Sequence, residues 1–132
     1  MRRAITTLFT VAVIALPVAN TAEAATKTKV VIRKFTGAAY SAEHYGSLQV
    51  VITVRKTTSG KKVTRKITAI SVPVYPDSSG RSSYISENAI PILRSEALRA
   101  QSARISLISG ATYTSEAFAG SLQSAILKAR KA

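Results

Sequence analysis

The run Ser109-Gly110-Ala111-Thr112-Tyr113-Thr114-Ser115 gathers the side chains best suited to chemistry in this chain. It follows a short apolar run, Ile105 to Ile108, and precedes an alanine-rich amphipathic stretch. That order predicts a strand, a tight turn and a helix. The first amides of a helix have no intrahelical partner, and the helix dipole adds partial positive charge there. Such an end attracts phosphate. Gly110 suits a turn that needs a positive φ. Spacing leaves two readings open. In one, Thr112 or Thr114 caps the helix by accepting from a free amide. In the other, the free amides and the dipole hold a phosphate.

Little else in the chain competes for a chemical role. There is no cysteine, which excludes disulfides, thiolate zinc sites and iron–sulfur ligation. His44 is the sole histidine and Asp77 the sole aspartate, so no metal site is expected. Function must come from hydroxyls, from backbone amides or from a bound group. Tyr84, Tyr113 and Phe118 read as readily as plain core or surface residues as they do as stacking partners for a planar ring. Arg81 is a candidate phosphate partner, although a loop arginine is ordinarily solvated. His44 reads as a surface residue. Glu116, in the first turn, suits the dipole and is expected to point outward.

The elements that position the hydroxyls are readable from pattern. Val30-Val31-Ile32 predicts a first strand. Leu48, Val50, Ile52 and Val54 alternate at period two, the mark of a half-buried strand. Ser59-Gly60 makes a turn, and Val63 to Val74 resumes extended structure, with Ile70, Val72 and Val74 alternating. Pro76 to Ser83 reads as a polar loop. Glu87 to Ser102 reads as a helix, with Pro91 in its first turn or at a kink. Ile105 to Ile108 reads as a short strand. Ser115 to Lys131 is a helix with Phe118, Leu122, Ala125, Ile126 and Ala129 on one face. The expected fold is a single α+β domain, a small antiparallel sheet with helices packed on one face.

The start of the chain has the grammar of an export signal. Arg2 and Arg3 precede an apolar stretch from Ala4 to Ala19, Pro17 breaks it, and Ala22-Glu23-Ala24 gives a small-x-small cleavage pattern. The expected division is a signal peptide over 1–24 and one domain over 25–132. The chain has 19 Lys and Arg against 6 Asp and Glu. Without Arg2, Arg3 and Glu23 the count is 17 against 5, a net of +12. Such a surface attracts polyanions, acidic proteins or anionic wall polymer. Aromatics are not interleaved with the cations, and an exported chain rarely meets nucleic acid, so no nucleic-acid partner is expected.

The hydroxyl run resembles the S-G-A-T-x-T-S signature of the FMN-binding domain family. That family includes small exported flavoproteins and domains of the C subunit of the Na+-translocating NADH:quinone oxidoreductase and of the G subunit of the Rnf complex. Further segments are similar, in the same order. Tyr45-Gly46-Ser47-Leu48-Gln49-Val50 resembles the YGxxQV strand entry. Ala89-Ile90-Pro91-Ile92-Leu93 is similar to the AIPxL helix, Ala100-Gln101-Ser102-Ala103 to the AQSA segment, and Ser121-Leu122-Gln123-Ser124-Ala125 to the stretch after the signature. The resemblance spans roughly Lys34 to Ala129.

The resemblance implies FMN attached through its phosphate to the threonine hydroxyl of the signature, which by position is Thr112. It implies a cofactor-binding set of Ser109, Gly110, Ala111, Thr112, Thr114 and Ser115, loaded by a flavin transferase that uses FAD and magnesium. It further implies an exported electron carrier that is not an enzyme by itself. Its partners would be a membrane redox donor and acceptor, and it would lie outside the cytoplasm, at or near the outer face of the membrane. One position departs from the family. The usual pattern is D-x-x-S-G-A-T, and here Ser106 stands where the aspartate would be. The alternative expectation is a non-redox basic module that binds anionic cell-wall polymer.

Overall fold

A computed structural model describes residues 27–77 and 79–132. The expected signal peptide over 1–24 lies outside the described residues, as does the side chain of His44.

The sheet is built around one strand. β1 spans Thr28–Thr36, β2 Tyr40–Ser41, β3 Ser47–Ser59 and β4 Lys62–Val74. β3 pairs with all three others. β2 meets it antiparallel, with Tyr40 opposite Leu48 and Ser41 opposite Ser47. The alternation expected for β3 is present: Leu48, Val50, Ile52 and Val54 are all buried. Gly60 takes φ 61° in the two-residue turn to β4, a conformation that glycine enters without a Cβ penalty. In β4 only Ile67 and Ile70 are buried, three residues apart, so strict alternation fails there. Val72 is half-buried and Val74 exposed.

Two helices cover the buried face of β3. α1 spans Gly80–Ala100 and α2 spans Thr112–Lys131. Ala89, Ile90, Leu93 and Ala97 of α1 join Ala117, Phe118, Leu122, Ala125, Ile126 and Ala129 of α2 in one core with the β3 residues. The α+β fold with helices on one face is therefore the fold observed. Val31–Lys56 and Arg65–Ala132 form the main compact unit; the hairpin tip Thr57–Thr64 groups with the start of β1 in a small one.

Several local expectations are corrected. α1 begins at Gly80, seven residues before Glu87. A reciprocal cap starts it: Ser82 N–H donates to Ser79 Oγ at 3.1 Å, and Ser79 N–H donates to Ser82 Oγ at 2.9 Å. Serine at the third position hides this cap in what reads as a polar loop. Pro91 consequently lies in the middle of α1, not in its first turn. α2 begins three residues before Ser115. Residues 105–108 form no strand; they are an open segment whose Ile105 and Ile108 pack partly buried against the core.

α1 ends through Gln101, which takes a left-handed conformation at φ 55°. Its side-chain amide then works like a strand partner. Ile67 N–H donates to Gln101 Oε1 at 2.8 Å, and Gln101 Nε2 donates to the Ile67 carbonyl at 2.9 Å. One side chain thus satisfies both backbone groups of a β4 residue.

Candidate functional site

Ile108 to Ser115 folds around one hydroxyl. Ser115 Oγ accepts from the Ile108 amide at 3.1 Å and donates to the Ala111 carbonyl at 2.7 Å. The Ala111 amide donates to the Ile108 carbonyl at 2.9 Å, closing the turn, and Gly110 takes φ 85° within it. No atom lies within 4 Å of where a Gly110 Cβ would stand, so the glycine answers the backbone and not a close neighbour.

The six candidate binding residues separate by exposure. Ser109, Gly110 and Thr112 are exposed, and Ala111 is buried. Thr114 is 2% exposed and Ser115 0%. Ser115 therefore already spends its hydroxyl on the loop, while Thr112 faces solvent with no hydrogen-bond partner for its side chain among the described residues. The expectation that Thr112 or Thr114 caps the helix is corrected. The cap position is Ala111, which makes no side-chain cap hydrogen bond. The dipole favours an anion at this end of the helix.

Two depressions flank Gly110 and Ala111, with Ile85 on both. One, of about 200 Å³, is bounded by Tyr84, Ala89 and Ile92 of α1. The other, of about 210 Å³, is bounded by Tyr45, Thr112 and Tyr113. The rings of Tyr45 and Tyr113 lie 6.1 Å apart at 37°, within the range of paired aromatics. Tyr84 is 60% exposed and Ile92 53%, so the first depression has an apolar, solvent-facing rim. Phe118 is fully buried in the core and cannot stack on a ligand. Arg81 is exposed and lines neither depression. Glu116 is exposed, as expected.

Ser106, at the departure from the family pattern, is exposed. Its amide donates to Glu96 Oε1 at 3.2 Å. A carboxylate from α1 thus stands beside the position, a neighbour that sequence separation conceals. Among the described residues, no three His, Cys, Asp or Glu side chains come together as a metal site would need. No described helix is long and apolar enough to cross a membrane. No protein-family model matches the chain, and no curated protein matches it significantly.

Proposed function

We propose that the chain is an extracytoplasmic electron-carrying domain that holds FMN by a phosphoester to Thr112. The observation that carries this reading is the exposed Thr112 hydroxyl, without a hydrogen-bond partner among the described residues, on the first turn of a helix whose cap residue, Ala111, makes no side-chain bond. The residues fit the group. A phosphate on Thr112 would lie at the positive end of α2, and each adjoining depression offers an aromatic wall, Tyr84 in one and Tyr45 with Tyr113 in the other. FMN supplies one- and two-electron redox chemistry when bound; the chain supplies attachment, orientation and electrostatics.

Within this reading the hydroxyls divide their work. Thr112 presents the nucleophile to a flavin transferase. Ser115 fixes the loop by its two bonds, and Gly110 keeps the backbone open beside Thr112. Thr114, being buried, supports the turn from within. A covalent link suits a protein outside the cytoplasm, because a freely bound cofactor would diffuse away. The excess of cations would steer an acidic redox partner or the anionic face of a membrane.

The test is production with a flavin transferase, FAD and magnesium, followed by denaturation. Fluorescence that stays with the unfolded polypeptide supports the proposal; a colourless polypeptide overturns it. The rival is a non-redox module for anionic wall polymer, favoured by the exposed cations Lys61, Lys62, Arg65 and Lys66. It predicts a colourless protein whose wall binding falls as salt rises.

A further inference from the structure

α2 ends beside a third depression, of about 270 Å³. Its floor is apolar, formed by Ile52 and Val54 of β3 and Ile126 of α2, all buried core residues. Its rim is cationic, formed by Arg65 and Lys66 of β4 and Arg130 of α2. No carboxylate lines it. It lies at the opposite end of α2 from Thr112, about 21–27 Å along the axis at 1.5 Å per residue, so the two sites cannot share a small ligand.

The charges here are not explained by the helix alone. Arg130 in the last turn suits the negative pole of the dipole. Arg65 and Lys66 come from the sheet and have no such role. Lys66 and Arg130 have no hydrogen-bond or ion-pair partner among the described residues. The remaining cations already converge on an oxygen: Arg65 Nη2 and Lys56 Nζ donate to the Ala132 carbonyl at 3.0 and 3.1 Å. Like charges gathered from β4 and α2 with no carboxylate side chain among the lining residues repel one another, and a bound anion would relieve that repulsion.

We propose that this depression binds a small amphipathic anion, a carboxylate or phosphate head on a short apolar body. The head meets Arg65, Lys66 and Arg130, and the body fills the depression above its floor of Ile52, Val54 and Ile126. Concave sites with an apolar lining and a few convergent polar groups are the usual form of small-ligand sites. The proposal does not depend on flavin at Thr112.

Calorimetric titration of the full chain with octyl phosphate, octanoate, octanol and inorganic phosphate, each kept below its micelle concentration, tests it. Octyl phosphate or octanoate should saturate at one per chain, with octanol and inorganic phosphate far weaker. Lys66→Gln and Arg130→Gln remove side chains without partners, so the fold should keep its circular dichroism. Each should weaken binding roughly fivefold, the size of a single partly exposed charge contact. Thr112→Val should bind normally. Sedimentation with phosphatidylglycerol vesicles, competed by octyl phosphate, would identify a lipid headgroup as the source; soluble binding without vesicle binding would identify a free metabolite. Inorganic phosphate binding as tightly as octyl phosphate would overturn the amphipathic assignment. Unchanged binding in the Lys66→Gln, Arg130→Gln double variant, or no saturable binding, would overturn the site.

Discussion

The amide of Ile108 donates to the hydroxyl of Ser115, seven residues later, at 3.1 Å. The same hydroxyl donates to the Ala111 carbonyl at 2.7 Å. A single buried oxygen therefore sets the curvature of the loop that presents Thr112. Ser115→Ala removes both bonds and leaves Ile108 N–H unanswered in a partly buried place. The expected cost is about 1–3 kcal/mol. For a domain of this size each kcal/mol lowers the melting temperature by roughly 4–8 °C. Thermal unfolding followed by circular dichroism checks it, and an unchanged midpoint would show that water replaces the hydroxyl.

Gln101 offers a second test of a structural device. Its φ of 55° suits glycine, and its amide pairs with both backbone groups of Ile67. Gln101→Gly keeps the left-handed turn and discards the pairing. The loss should be about 1–3 kcal/mol, read by urea denaturation. If stability is unchanged or rises, the pairing adds nothing beyond the turn.

Gly37 tests the seating of the β1–β2 connection on α2. A Cβ there would overlap the carbonyl oxygen of Ser121 and lie 2.7 Å from its Oγ. Gly37 N–H donates to the Val50 carbonyl at 2.8 Å, and Val50 N–H donates to Ser121 Oγ at 2.8 Å. Gly37→Ala must push strand and helix apart, at a cost of about 1–3 kcal/mol for overpacking. Denaturant unfolding measures it. Wild-type stability in the variant would mean that the connection is free to shift.

Much of this fold is legible in the sequence. The alternation Leu48, Val50, Ile52, Val54 marks β3 because one face of that strand is fully buried. The Phe118, Leu122, Ala125, Ile126, Ala129 stripe marks α2 because all five lie in the core. Gly110 advertises its positive φ by being glycine at a turn. What was hidden has physical causes. The start of α1 is hidden because serine, not glutamate, completes its cap. Residues 105–108 read as a strand because Ile105 and Ile108 are apolar, yet they meet the core as a loop. The cap of α2 leaves no trace because Ala111 has no polar side chain to announce it. The Glu96 contact to Ser106 is tertiary and leaves no local trace.

Ser106 carries a prediction of its own. The family pattern that the chain resembles has a carboxylate there, and Glu96 supplies one only from the side, through the Ser106 amide. Ser106→Asp should raise the fraction of chains carrying flavin after production with a transferase and FAD. Intact mass of the product reads that fraction. Complete loading with Ser106 already in place would show that the aspartate is dispensable.

Thr112→Val, compared with Thr114→Ala, asks whether Thr112 is the attachment hydroxyl. Valine keeps the β-branched shape at an exposed position and removes only the nucleophile. Thr114→Ala changes a buried residue and should retain flavin at some cost in stability. Both variants and the unaltered chain are produced with transferase and FAD, denatured, and measured by intact mass and flavin fluorescence of the polypeptide. The account predicts one covalent flavin mononucleotide on the unaltered chain, at least part of it on Thr114→Ala, and none on Thr112→Val. Flavin persisting on Thr112→Val, or absent from the unaltered chain, would contradict it.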